Sequence, residues 1–131
     1  MTRTVTVGKP TEKQKKLHEI VKAAQEKAFQ SITPKVKARD IDAVARKVIE
    51  NAGYGEYFVH GLGHGVGLEI HEPPSLSRES KDRLMAGNVI TLEPGIYIVG
   101  FGGIRVEDTV LVQKHGAEKL TKGPLTLEIE I

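Results

Sequence analysis

Three of the five histidines in this 131-residue chain fall within one run, His60-Gly-Leu-Gly-His64-Gly-Val-Gly-Leu-Glu-Ile-His71. Neutral imidazole is the commonest protein metal ligand and the usual proton carrier near neutral pH. Glycines at 61, 63, 65 and 67 disfavour a helix interior and let backbone approach a ligand closely. The run therefore reads as an active-site loop or strand. Two carboxylates stand in apolar, strand-like stretches: Glu93 in Val89-Ile-Thr-Leu-Glu-Pro-Gly-Ile-Tyr97, and Glu107 in Gly103-Ile-Arg-Val-Glu-Asp-Thr-Val-Leu-Val112. A carboxylate in such a strand must be ion-paired, hydrogen-bonded or metal-bound. The chain has no cysteine, so a metal would be held by His, Asp or Glu, and His64, Glu93 and Glu107 form a nitrogen and oxygen donor set suited to Mn, Co, Zn or Fe. Other readings stay open on spacing alone. His64 could be a satisfied core histidine and His71 a cap on the Pro73-Pro74 loop. Alternation places Arg105 and Glu107 on one strand face, where they could form a buried ion pair.

The elements that must position these residues follow from hydrophobic period and breakers. Met1 to Val7 alternates Thr and Val and reads as a strand ending at Gly8-Lys9-Pro10. Thr11 with Gln14 makes a capping-box pattern, and Leu17, Ile20, Val21, Ala24, Ala28 and Ile32 follow at helical spacing, so a helix is expected over about 11–32. His18 is expected on its surface. A second helix is expected from Ala38–Asp40 to Ala52, with Gly53 just past its end. Asp40 and Asp42 in its first turn are accounted for by the helix dipole.

Beyond Gly55 short strands are expected, with Tyr57-Phe58-Val59 leading into the histidine run. Pro73-Pro74 and the polar stretch Ser75 to Arg83 read as a loop. Val89–Glu93 and Gly95–Val99 read as one strand bent at Pro94. A turn at Gly100–Gly103 would pair Val99 with Ile104 and lead into a partner strand, Ile104–Val112, bringing Glu93 towards the same end as Glu107. A further hairpin is expected at Lys114–Ala117, with His115 exposed, and a last strand over Leu125–Ile131.

The length supports a single domain spanning 1–131, and 39% apolar with 27% charged residues is ordinary for a globular protein. A net charge of +2, without an arginine-rich run, gives no reason to expect nucleic acid as a partner. No stretch approaches a membrane span, and the N-terminus lacks a signal-peptide apolar region, so a cytoplasmic location with no membrane partner is expected.

His60-Gly-Leu-Gly-His64-Gly-Val-Gly, Leu92-Glu-Pro-Gly-Ile-Tyr97 and Gly103-Ile-Arg-Val-Glu-Asp-Thr109 together resemble the catalytic motifs of the M24 metallopeptidases, the "pita-bread" enzymes. Within that family the Glu-Pro-Gly-Ile-Tyr run and Arg105 resemble the Xaa-Pro dipeptidase and aminopeptidase P branch. Three separated motifs in the same order cover nearly the whole chain. The resemblance implies an α+β fold, half of a pita-bread domain with two helices packed on an antiparallel sheet. It implies His64, Glu93 and Glu107 as ligands of a dinuclear metal centre, Glu107 bridging. It places His60 and His71 near the substrate, where either stabilises the oxyanion or moves a proton, and gives Arg105 the role of positioning a carboxylate ligand. The reaction implied is hydrolysis of a peptide with proline in second position by metal-activated water.

The family's centre also uses two Asp that lie upstream, the second directly before a segment like Met1-Thr-Arg-Thr-Val5. Asp40, Asp42, Asp82 and Asp108 do not match them. The chain is therefore expected to be the C-terminal portion of a catalytic domain, inactive or nearly so alone and able to hold at most one metal ion. Its expected partner is the upstream half or a second copy of itself. The competing expectation is a non-catalytic peptide-binding or self-associating half domain. The presence of all six site residues argues for the peptidase reading.

Overall fold

The computed structural model describes residues 1–130. Helix α1, Glu12–Gln30, starts at the expected capping box: the Thr11 hydroxyl accepts from the Gln14 amide, and the Gln14 side chain accepts from the Thr11 amide at 2.7 Å. Helix α2, Ala38–Asn51, ends before Gly53, whose φ of +86° is open to glycine at little cost. A 3₁₀ turn, Gly55–Tyr57, follows where extended chain was expected.

The strands are β1 (Thr6–Val7), β2 (Gly63–Gly65), β3 (Glu72–Leu76), β4 (Val89–Leu92), β5 (Gly95–Ile98), β6 (Gly102–Arg105), β7 (Asp108–Val112), β8 (Ala117–Lys119) and β9 (Glu128–Ile129). Five of them form an open antiparallel sheet in the order β3-β2-β4-β7-β8, β5 pairs with β6, and β1 runs parallel to β9. The helices pack on each other, α1 against β4, β5 and β6 and α2 against β3 and the 3₁₀ turn. This is the α+β arrangement expected for half of a pita-bread fold. Leu17, Val21, Ala24 and Ala28 of α1, and Ile41, Ala45 and Ile49 of α2, meet Ile90, Leu92, Ile96, Val110 and Val112 in one core. Each large apolar side chain buried there contributes about 1.5–3 kcal/mol.

Several expected elements are redrawn. Pro73 and Pro74 lie in a strand, because β3 is a sheet edge, where a residue lacking N–H costs no ladder bond. Only Thr6 and Val7 of the first seven residues form a strand. Before them, one backbone bridge, Thr2 to Glu107, is supplemented by side chains: the Thr4 hydroxyl accepts from the Arg105 amide, and Arg3 binds Asp108 at 2.7 Å. The expected final strand shortens to Glu128–Ile129, and its last residue, Ile131, lies outside the described residues. His115 is exposed, as expected.

The β5–β6 turn pairs Ile98 with Gly102, not Val99 with Ile104. The strand expected over 104–112 is divided into β6 and β7. Gly95 faces Arg105 and Leu92 faces Asp108 in one continuous register, so Glu93 and Glu107 come opposite each other where the ladder opens. There each backbone turns to a third segment: the Glu93 amide donates to the Leu62 carbonyl at 2.8 Å, and the Glu107 amide to Thr2 at 3.0 Å.

His18 is not on the surface: it is 2% exposed, since its spacing to Val21 and Gln25 (i+3 and i+7) keeps it on the packed face of α1. Burial, assisted by Lys22, pushes its pKa below the ordinary 6.5. Asp42 also does more than face the helix dipole. It is fully buried and grips Arg46 with two bonds of 2.9 Å, while its Oδ1 also accepts from the Leu62 amide. Arg46 donates onward to the carbonyls of Phe58 and His60 at 2.8 and 2.9 Å. This pair fastens α2 to the start of the histidine run.

Removing Asp42 leaves a buried guanidinium unpaired, so Asp42→Ala is expected to cost about 3–5 kcal/mol in denaturant unfolding, with the loss reduced in the double variant Asp42→Ala, Arg46→Met. The folded chain resists protonation of His18 while the unfolded chain accepts it at about 6.5. Stability is therefore expected to fall as pH drops through 6.5 towards the lowered folded value, and His18→Gln is expected to flatten that dependence.

Candidate functional site

The open point of the ladder is lined by the residues singled out in the sequence. Two cavities of about 600 and 380 Å³ share His64, His71, Glu93 and Arg105; the larger also takes in His60 and the smaller Glu107. Glycine makes this crowding possible. A Cβ at Gly63 would lie 1.9 Å from the Thr91 carbonyl oxygen, and one at Gly65 would lie 2.3 Å from that of Pro73.

His64 and Glu93 are held by specific bonds. His64 Nδ1 lies 2.9 Å from the Gly65 carbonyl, which can only accept, so Nδ1 carries the proton and Nε2 of the neutral ring is bare. That nitrogen lies 3.1 Å from Glu93 Oε1. Two acceptors at this distance repel unless a proton or a cation lies between them. The Thr91 hydroxyl accepts from the His64 amide at 3.1 Å and donates to Glu93 Oε1 at 2.9 Å, which orients both. His71 is exposed, its ring 4.4 Å from that of His64. The His60 ring packs against both Phe58 and Tyr97, whose rings are 5.2 and 5.3 Å away.

Arg105 and Glu107 are not paired directly among the described residues. The Arg105 guanidinium donates to the Thr2 hydroxyl at 3.3 Å, and that hydroxyl donates in turn to Glu107. Arg105 Nε is buried without a partner. Among the described residues no three His, Asp or Glu side chains are gathered closely enough to hold an ion together. The donor chemistry nevertheless fits a divalent cation: a bare imidazole nitrogen opposed to a carboxylate, with a second carboxylate lining the same cavity.

Sequence reasoning missed three supports. Thr2 and Thr91 are short polar residues in β-like stretches, with nothing in their spacing to mark them. Gln25 is the third. It is 1% exposed, and its Nε2 donates to the carbonyls of Leu92 at 3.1 Å and Val106 at 3.3 Å, the residues directly before the two carboxylates. A glutamine within the apolar stripe of a helix is the only signal that could have found it.

The fold and the site together define an α+β scaffold with a histidine and carboxylate centre. The chain belongs to metallopeptidase family M24, whose model matches residues 1–114. It is 54% identical over 122 residues to the Xaa-Pro dipeptidase of Pyrococcus horikoshii, a match covering 93% of this chain and 35% of the relative. The structure of an Xaa-Pro dipeptidase from Bacillus anthracis superposes with a TM-score of 0.94 at 46% identity, covering 98% of this chain and 36% of that one. An X-Pro aminopeptidase from Thermotoga maritima does so with a TM-score of 0.93 at 42% identity, covering 98% and 36%. The chain thus spans about a third of the length of the relatives it matches. No helix among the described residues is long and apolar enough to cross a membrane.

Replacing Gln25 by Leu leaves two buried carbonyls without this donor. A loss of about 1–3 kcal/mol is expected in thermal or denaturant unfolding, against a smaller one for the exposed Gln30→Leu.

Proposed function

We propose that this chain is the C-terminal portion of the catalytic domain of a metal-dependent peptidase that hydrolyses the bond between an N-terminal residue and proline. The observation that carries the reading is the placement of Glu93 opposite Glu107 at the ladder opening, with His64 Nε2 turned onto Glu93. The names of the relatives, Xaa-Pro dipeptidase and X-Pro aminopeptidase, support the substrate class.

In this reading His64, Glu93 and Glu107 hold the metal, with Mn, Co, Zn and Fe all compatible with the donors. A divalent ion there supplies Lewis-acid polarisation of the carbonyl and an activated water. The rest falls to the chain's own side chains. Thr91 fixes the Glu93 carboxylate, and Arg105 acts through Thr2 to fix that of Glu107. His60 and His71, on the walls of the larger cavity, face a bound peptide, where the exposed His71 donates an imidazole N–H to a carbonyl oxygen gaining charge. Further ligands come from polypeptide beyond the three donors named, an upstream half or a second copy. The Met1 backbone nitrogen lies 3.9 Å from Glu107 Oε1.

Calorimetric titration of the purified chain with Mn²⁺, Co²⁺ and Zn²⁺ tests this. Binding of one ion is expected, lost by at least tenfold in Glu107→Ala and in His64→Ala, with little Xaa-Pro cleavage until an Asp-bearing upstream segment is supplied. Absence of binding in the wild-type chain, with peptide affinity retained, would establish a peptide-binding module instead.

A further inference from the structure

Tyr97 is absent from the metal set and from the residues expected at the substrate, yet its hydroxyl oxygen lies 2.9 Å from His60 Nε2. On the other side of the ring, Nδ1 lies 2.7 Å from the Gly61 carbonyl oxygen. A carbonyl can only accept, so Nδ1 carries the hydrogen. In the neutral imidazole Nε2 is then a bare lone pair, and the tyrosine O–H must be its donor. We propose that Tyr97 is the positioning residue of His60: it donates to Nε2, holds the ring in its Nδ1–H form and fixes its rotation at the cavity wall.

Three independent features converge on this bond. The first is the seat of the tyrosine ring: a Cβ at Gly95 would lie 2.6 Å from the Tyr97 hydroxyl oxygen, and one at Gly103 would lie 2.6 Å from its Cδ1. The Tyr97 side chain therefore lies across two positions on paired strands that only glycine leaves clear. The second is Phe58, whose ring meets that of His60 in an edge contact at 90° with centroids 5.2 Å apart. The third is the backbone: the carbonyls of Phe58 and His60 are both held by Arg46. With both nitrogens engaged, His60 presents a fixed ring to the cavity, and neither nitrogen reaches a ligand without first breaking one of these bonds. His71, exposed, has no such clamp among the described residues. The catalytic meaning of a fixed His60 rests on the peptidase reading above, whereas the bond itself does not.

The test is long-range ¹H–¹⁵N NMR of the histidine side chains in the full chain, ¹⁵N-labelled and treated with chelator, at pH 8. The wild type is expected to show His60 with a protonated Nδ1 and a hydrogen-bonded, unprotonated Nε2. In Tyr97→Phe the Nε2 resonance is expected to move downfield to that of an acceptor without a donor, while the His18 and His115 signals stay in place. Gly103→Ala, which keeps the hydroxyl but displaces the ring, is expected to give the same change. A protonated Nε2 on His60 in the wild type would overturn the proposal without any variant. So would an Nε2 resonance unmoved in either folded variant. Because neither metal nor peptide is present, this outcome stands apart from whether the chain contributes to a peptidase.

Discussion

The structure depends on how one long antiparallel ladder is opened at a single point without leaving buried backbone groups unpaired. β4 and β5 on one side, and β6 and β7 on the other, keep one register through the opening. At the opening the amides of Glu93 and Glu107 turn to Leu62 and Thr2, and the Gln25 amide enters from α1 to bond the carbonyls of Leu92 and Val106. An unpaired buried carbonyl costs about as much as a lost hydrogen bond, so an opening of this kind persists only if each group is met by another partner. The return is a sheet whose two halves separate just enough to set two carboxylates facing one cavity.

The same economy governs the imidazoles. His60 and His64 each commit Nδ1 to the carbonyl of the next residue, at 2.7 and 2.9 Å, and each thereby turns Nε2 outward as an acceptor. The two rings then diverge in what they meet: a tyrosine hydroxyl for His60 and a carboxylate for His64. Control of one nitrogen by a bond at the other is the usual means by which proteins prepare an imidazole to bind a metal. The glycines after each histidine are part of this device, because a Cβ at Gly61 would crowd the Leu76 carbonyl and one at Gly65 those of Glu72 and Pro73.

Around this centre one buried and one part-buried ion pair fasten the segments that carry it. Asp42 and Arg46 join α2 to residues 58–62. Asp108, directly after Glu107, binds Arg3 and the Thr121 hydroxyl, so the first and last parts of the chain close over β7. In both pairs the remaining guanidinium donors meet backbone carbonyls, a condition under which a charge withdrawn from water is tolerated.

The elements were legible where local rules decide them. Thr11 with Gln14, the apolar stripes of α1 and α2, and Gly53 mark the helices through capping, period and backbone freedom, all of which act within a few residues. The site residues stood out because histidines among glycines, and carboxylates among strand apolars, have few uses besides chemistry, and because their motifs match one family. What the sequence could not decide was which polar groups end up inside. His18 reads as surface and Asp42 as a dipole partner until the opposing layer is in place, since burial is set by what packs against a helix, not by the helix. Gln25, Thr2 and Tyr97 act across 67, 105 and 37 residues of chain. Only the tertiary structure brings such partners together, because a hydrogen bond needs its two atoms within about 3 Å and sequence spacing carries no record of that distance.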